Sequence, residues 1–257
     1  MPFKKYAFCH PGKIGDALYS LPTIHTVCER DGAIADFYTS EACLPIKKLM
    51  LYQDHINRFI IPPEYKIYDY GQGVQPWKMP VQENLYDRVF QLGFKNVPNG
   101  PIHRFIAREA GVPEKVPDPY YNYPDISFYE EPYMVVAFNF YRGGSLYNTY
   151  KYIIENSPIK VVQTGLSVDW VDAPSENQMD IDLLEVLSLL SKAKIFVGFY
   201  SGILALANGF PNLMRFITLP HAGVGEQHGL HLHNTTDLRN PDPAHLLNLI
   251  TDTARRV

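Results

Sequence analysis

Short apolar runs alternate with segments of helical spacing along almost the whole chain, and this alternation constrains the fold more than any other feature. In the first half, Tyr6–Cys9 reads as a strand, Asp16–Arg30 as a helix and Ala33–Thr39 as a second strand. Glu41–Tyr52 follows as a helix and Asn57–Ile61 as a third strand closed by Pro62 and Pro63. Tyr86–Leu92 has the pattern of another strand, and Pro101–Ala110 that of a helix stopped by Gly111. Strands joined through helices pair in parallel by right-handed crossovers, which places the chain in the α/β class. Pro113, Pro117, Pro119, Pro124 and Pro132 then break the rhythm, too densely for a helix or a central strand. Residues 112–132 therefore read as a link between two lobes, 1–126 and 127–257. The second lobe repeats the pattern with strands at Tyr133–Phe138, Lys160–Thr164, Ile195–Gly198 and Leu213–Leu219. Its helices are expected at Leu146–Asn156, Asp182–Ser191, Gly202–Gly209 and Pro243–Arg255. Two small Rossmann-like lobes with parallel sheets, facing each other across a cleft, are the predicted architecture.

Composition narrows the function classes. No apolar run approaches the ~18 residues of a membrane span, and the charged N-terminus lacks the apolar core of a secretion signal, so a cytoplasmic protein is expected. A net charge of −4, with basic residues scattered in pairs such as Lys47-Lys48 and Arg255-Arg256, disfavours nucleic acid as a partner without excluding a local basic cleft. Cys9, Cys28 and Cys43 lack the spacing of a zinc or redox motif and read as buried free thiols. His10 and His25 have no Ser or Cys nucleophile beside them, so a hydrolase triad is discarded. His221, His228, His231 and His233 read as a polar loop near the cleft, with no defined third ligand for a metal. Asp169, Asp172, Glu176, Asp180 and Asp182 read as a solvated acidic loop, the alternative being a carboxylate on ribose hydroxyls.

Two turns carry chemistry. In Lys4–Pro22 an apolar run ends in a turn bearing Gly12, Lys13 and Gly15, and Asp16 opens the following helix. A strand that feeds a glycine turn and a helix N-terminus offers backbone N–H groups to a polar ligand or phosphate, and it stands Asp16 at the mouth of the cleft. Gly12-Lys13 lacks the Gly-Lys-Ser/Thr ending of a P-loop, which excludes that kind of NTPase. In Ile195–Ala207 a strand ends at Gly198 and a helix opens at Ser201-Gly202, where the Ser201 hydroxyl can cap and the N–H groups can receive a phosphate. Gln163, Thr164 and Gly165 end a strand of the same lobe and are candidates to contact a ligand there.

Gly15-Asp16-Ala17-Leu18-Tyr19-Ser20-Leu21-Pro22 resembles the Gly-Asp-x-x-x-x-x-Pro signature of the heptosyltransferase-like glycosyltransferases. Tyr86–Leu92 is similar to the Tyr-Asp strand of that family's first domain, and Leu184–Pro211 follows its order of helix, strand, Ser-Gly turn and small-residue helix. The resemblance implies a GT-B fold and a metal-independent, inverting transfer from a nucleotide-diphosphate sugar to an acceptor hydroxyl, with no further cofactor. It implies that Asp16 is the general base, that the N-terminal lobe takes the acceptor and that the C-terminal lobe takes the donor. The leaving diphosphate then needs positive charge, for which Arg142 and Lys151 are candidates. Tyr200 and Ala205 stand where the family has an acid and a histidine, so Tyr200 is read as packing on a different sugar or base. Two other readings stay open: a non-catalytic module that binds a nucleotide or glycan, and a transferase acting on modified DNA bases.

Overall fold

The computed structural model describes residues 3–63, 65, 78–94, 100–113, 121–219 and 234–256. The histidines His221, His228, His231 and His233 lie outside the described residues. The chain divides into two compact units, Met1–Tyr123 and Pro124–Val257.

The first unit is built on four parallel strands, β1 (Lys4–His10), β2 (Ala33–Thr39), β3 (Ile56–Ile60) and β4 (Arg88–Gln91), in the order β3-β2-β1-β4. Its helices are α1 (Ile14–Leu18), α2 (Leu21–Asp31), α3 (Lys47–Leu51) and α4 (Ile102–Glu109). Register places Phe59, Phe37, Phe8 and Phe90 in one row across all four strands. Phe8 and Phe90 stack with their centroids 4.6 Å apart, and Phe8 and Phe37 are fully buried. Aromatic rings bury a large apolar area per residue, so this row locks the register and fills one face of the sheet.

The opposite face carries a buried charge. Asp36, fully buried in β2, is paired to Arg58 at 2.6 Å and to Lys5 at 3.5 Å. Asn57 donates to it at 2.9 Å and the Tyr86 hydroxyl at 2.9 Å, and Tyr86 is itself 2.8 Å from the Tyr38 hydroxyl. Burial alone would raise the Asp36 carboxyl, but the Arg58, Asn57 and Tyr86 hydrogen bonds outweigh it and hold the group below the usual range. The neighbouring Asp87 accepts the Lys5 backbone N–H at 2.7 Å. Tyr86 and Asp87 thus staple the start of β4 to β2 and β1.

The second unit has six parallel strands: β5 (Tyr133–Ala137), β6 (Lys160–Gly165), β7 (Glu176–Met179), β8 (Ile195–Gly198), β9 (Met214–Leu219) and β10 (Thr235–Arg239). Their order is β10-β9-β8-β5-β6-β7. The helices are α5 (Phe140–Gly143), α6 (Tyr147–Asn156), α7 (Leu183–Lys192), α8 (Gly202–Ala207) and α9 (Pro243–Ala254). Asp182 and Glu185 form a capping box that starts α7. With both units in hand, the α/β class and the paired parallel sheets agree with the sequence reading. All three cysteines are free and buried. Among the described residues no helix is long and apolar enough to cross a membrane.

Four expectations are corrected. The single helix over Asp16–Arg30 is two, because Pro22 cannot supply an N–H to the Leu18 carbonyl and its ring would crowd that turn. The Ser20 hydroxyl instead donates to the Ala17 carbonyl at 2.5 Å and closes α1. Pro45 has the same effect in the second helix, where Glu41–Ile46 tightens to a 3-10 helix before α3 begins. The strand over Tyr86–Leu92 is shorter, since only Arg88–Gln91 enters the sheet. The acidic stretch is solvated at Asp172, Glu176 and Asp180, as expected, but it is not a single loop. Glu176 lies in β7, Asp180 accepts from the Ser167 backbone and hydroxyl, Asp182 caps α7, and Asp169 is buried.

The proline-rich link is tied down on either side of the division between the two units. Asn122 exchanges two hydrogen bonds with the Gln53 amide, and the Ser188 hydroxyl donates to the Pro124 carbonyl. Residues 114–120 of that link lie outside the described residues.

Tyr86→Phe removes a donor from a buried carboxylate and is expected to lower the unfolding free energy by about 1–2 kcal/mol. Tyr38→Phe loses only a bond between neutral groups and is expected to cost about half as much. Urea denaturation of the two variants measures the difference.

Candidate functional site

In the first unit the chain steps outward from β1 through β2 to β3, then returns to the other side of β1 as β4. Where strand order reverses, successive connections leave on opposite faces and open a crevice at the carboxyl ends. The segment that leaves β1 at this reversal is Pro11-Gly12-Lys13, followed by α1, whose third residue is Asp16. Gly12, Lys13, Gly15 and Asp16 therefore stand together at the reversal between β1 and β4. The turn is held from several sides. The Gly12 N–H donates to His10 Nδ1 at 3.1 Å, and the Gly12 carbonyl lies 3.4 Å from Cys43 Sγ and 3.5 Å from Ser40 Oγ. Thr39 Oγ1 donates to the His10 carbonyl at 2.9 Å. The Ala17 N–H closes the first turn of α1 on the Lys13 carbonyl at 2.9 Å.

Asp16 is only 9 % exposed, unusual for a carboxylate on the first turn of a surface helix. Burial pushes the Cys43 thiol up, hydrogen bonds from Thr39 and Ser40 oppose this, and the Asp16 charge adds to the rise. His10 is fully buried, and burial pushes it down to about 3, so it is a neutral imidazole. With Nδ1 accepting from Gly12, its proton resides on Nε2.

The second unit repeats this logic. The chain moves from β5 through β6 to β7, then returns beside β5 as β8. The reversal lies between β5 and β8, and the segments leaving them carry α5, with Arg142, and Tyr200-Ser201-Gly202. The two segments touch: a Cβ on Gly143 would stand 3.2 Å from the Phe199 ring. Asp169 accepts the Phe140 N–H at 2.8 Å and so fixes the start of α5. Ser201 Oγ accepts the Leu204 N–H at 3.4 Å, which makes it the cap of α8. At the far end of α8 the buried Arg215 guanidinium donates to the Ala207 and Phe210 carbonyls at 3.3 and 2.7 Å. A cation at a helix C-terminus is favourably placed against the dipole. Tyr200 is buried, and burial, with the Asp237 charge next, pushes its phenol up.

The remaining sequence candidates serve the scaffold in this structure. The Gln163 amide is used on both sides, donating to the Val171 carbonyl and Ser175 hydroxyl and accepting the Val171 N–H. Thr164 donates to the Gln178 carbonyl at 3.0 Å, and Gly165, at φ +141°, receives the Asp180 N–H. Lys151 lies on the surface of α6, 3.8 Å from Glu155 one turn on. Arg142 stands in α5, and its side chain lies outside the described residues. The sequence reading missed the supports: His10, Thr39, Ser40 and Cys43 under the Asp16 turn, and Asp169 under α5. Their signal was present only as polar residues at the ends of apolar strands. Among the described residues no group of three or more His, Cys, Asp or Glu side chains is placed to hold a metal ion.

No protein-family model matches the chain, and no curated protein matches it in sequence. Its fold, however, matches solved structures over nearly its whole length. The E. coli ADP-heptose lps heptosyltransferase II superposes with a TM-score of 0.66 at 14% identity, covering 98% of this chain and 99% of that one. E. coli heptosyltransferase WaaC with ADP gives 0.64 at 13% identity, covering 97% and 99%. A family 9 glycosyl transferase from Veillonella parvula gives 0.65 at 7% identity, covering 97% and 89%. The chain thus has the GT-B fold of the heptosyltransferase-like glycosyltransferases.

Gly198, the last residue of β8, has no room for a side chain, since a Cβ there would lie 2.4 Å from the buried Phe196 ring and 3.3 Å from the Ala137 carbonyl. Gly198→Ala is expected to destabilise the second unit by about 1–3 kcal/mol, read as a lowered Tm. A second expectation concerns acid. His55 is held at about 4, by burial first and by the neighbouring His25 next, and His10 at about 3, whereas the unfolded chain takes up these protons near 6.5. Below that pH the unfolded state binds more protons, so stability should fall as pH drops from 6.5, with the His55 part of the fall complete near 4 and the His10 part near 3. Melting curves across this range should be flatter for the pair His10→Asn and His55→Gln.

Proposed function

We propose that the chain is an inverting glycosyltransferase that moves a sugar from a nucleotide-diphosphate donor to an acceptor hydroxyl without a metal ion. The observation that carries this reading is the position of Asp16, a nearly buried carboxylate on the first turn behind β1, at the reversal of strand order, in a fold shared with heptosyltransferases. A carboxylate held there suits general-base work. The acceptor oxygen attacks the anomeric carbon, Asp16 takes its proton, and the bond from that carbon to the diphosphate oxygen breaks on the opposite face.

The donor is assigned to the second unit, because the segments after β5 and β8 meet there as they do in dinucleotide folds. Arg142 is the candidate cation for the leaving diphosphate, with backbone N–H groups of the Ser201-Gly202 turn beside it. The short length of α8 limits what its dipole can add, so the arginine carries more of that load. Tyr200 is a candidate wall of the sugar or base pocket, and Lys151, Gln163, Thr164 and Gly165 are assigned to the surrounding frame. In the first unit Gly12, Lys13 and Gly15 shape the acceptor side of the turn. The presence of WaaC with ADP among the solved structures favours a nucleoside diphosphate as the leaving group. The acceptor is assigned by chemistry alone, as a hydroxyl of a glycan. A cytoplasmic setting agrees with a nucleotide-sugar donor.

A panel of nucleotide sugars, screened by thermal shift and by donor turnover in the presence of EDTA, tests the reading. One donor is expected to raise Tm in both the wild type and Asp16→Asn, with turnover falling on the order of 10²–10⁴-fold in the variant. Binding without turnover in either protein would replace the transferase by a binding module. The buried Tyr200 in place of the family's acid gives that alternative its one point of support.

A further inference from the structure

We infer that His10 is a positioning residue for Asp16, acting through the backbone of the Gly12 turn. This inference rests on the transferase reading above and names the device that sets the geometry of its base. His10 is the last residue of β1 and is fully buried. It lies on the same face as Tyr6 and Phe8, one register step beyond the row of phenylalanines, with Thr39 opposite on β2. The imidazole and the Phe94 ring pack edge to face, with centroids 5.9 Å apart. From that position Nδ1 accepts the Gly12 N–H at 3.1 Å.

A backbone N–H two residues on, bonded to a side-chain acceptor, fixes the direction in which the chain leaves the strand. Every later atom of the turn follows from it. The Gly12 carbonyl is set between Ser40 and Cys43, Lys13 caps α1 with its backbone, and Asp16 completes that helix's first turn. Only three residues lie between Gly12 and Asp16, and the Gly12 N–H and the Gly12, Lys13 and Gly15 carbonyls are already engaged. A rotation at Gly12 is therefore carried directly to the carboxylate. Burial keeps the imidazole neutral across the working range of pH, so the Nδ1 lone pair stays available to Gly12. Its other nitrogen, Nε2, is buried with no hydrogen-bond partner among the described residues. A buried donor left without a partner is destabilising, and a leucine or phenylalanine would fill the site without that penalty. The acceptor that Nδ1 offers to Gly12 is what a leucine or phenylalanine at this position could not supply.

Three substitutions separate positioning from packing. His10→Asn keeps an acceptor at the Nδ1 position, His10→Gln moves its amide outward toward the Nε2 position, and His10→Leu has no acceptor. Two readouts are taken on each: hydrogen exchange at the Gly12 amide by NMR, and kcat and donor KM with the nucleotide sugar found by the panel. The Gly12 amide is expected to lose protection in His10→Leu and His10→Gln and to keep it in His10→Asn. In step, kcat should fall by about 10²-fold in the first two with donor KM unchanged, and recover most of its value in His10→Asn. Equal kcat losses in Asn and Gln variants, or Gly12 protection unaltered in all three, would overturn the positioning role. Loss confined to donor KM would overturn it as well. Absence of turnover in the wild type would instead overturn the transferase reading, and that result is read before any variant is made.

Discussion

Because every strand in both sheets runs parallel to its neighbours, every connection must cross from one end of a sheet to the other, and all carboxyl ends finish on one edge. The polar residues that end the strands are thereby gathered without any of them having to be adjacent in sequence. His10 and Thr39 come together because β1 and β2 are in register, and Ser40 and Cys43 follow just beyond. The same constraint, with a single reversal of strand order in each unit, separates the segments after β1 and β4, and those after β5 and β8, onto opposite faces. The chemistry assigned to Asp16 and to the Ser201-Gly202 turn depends on these two reversals before it depends on any side chain.

The two candidate turns are stabilised in different ways. The Asp16 turn is built from buried neutral groups: an imidazole, two hydroxyls and a thiol, all bonded to backbone. Such groups keep their geometry across a wide pH range, which suits a carboxylate that must change its protonation state while its frame does not. The turn of the second unit relies on charges, with Asp169 at the start of α5 and Arg215 at the end of α8. Charged hydrogen bonds are stronger individually and leave a costlier group behind when a partner is lost. The charges here lie at helix ends, where dipoles reinforce them.

Much of the fold was legible in the sequence, and the reasons are local. Ala33–Thr39 and Ile195–Gly198 were read to the residue, because each is an apolar run with glycine at a boundary: Gly32 in the left-handed region before β2, and Gly198 closing β8. The edge strands β7 and β10 were not legible. Glu-Asn-Gln-Met and Thr-Thr-Asp-Leu-Arg bury little, so they leave no apolar signature. Asp16 and Ser201 could be picked out by their place after a strand and a glycine. Their supports could not, since the meaning of Thr39 or His10 appears only when β1 and β2 are laid side by side. Tyr86-Asp87 was noticed as a motif, but its work, holding the buried Asp36, needed the third dimension.

The pairing of β1 with β4 has a consequence for how the protein comes into being. Lys5 meets Asp87 across 82 residues of chain, and the strands that flank β1 on its other side are complete long before then. While the polypeptide is still emerging, β1 through β3 can form a sheet in which β1, buried from Tyr6 to His10 in the folded protein, presents an open edge. An open apolar edge is a template for any other extended segment, including the same strand of a neighbouring nascent chain. Arrival of Arg88–Gln91 closes it. A strand only four residues long thus decides whether β1 ends its synthesis as an edge or as an interior strand.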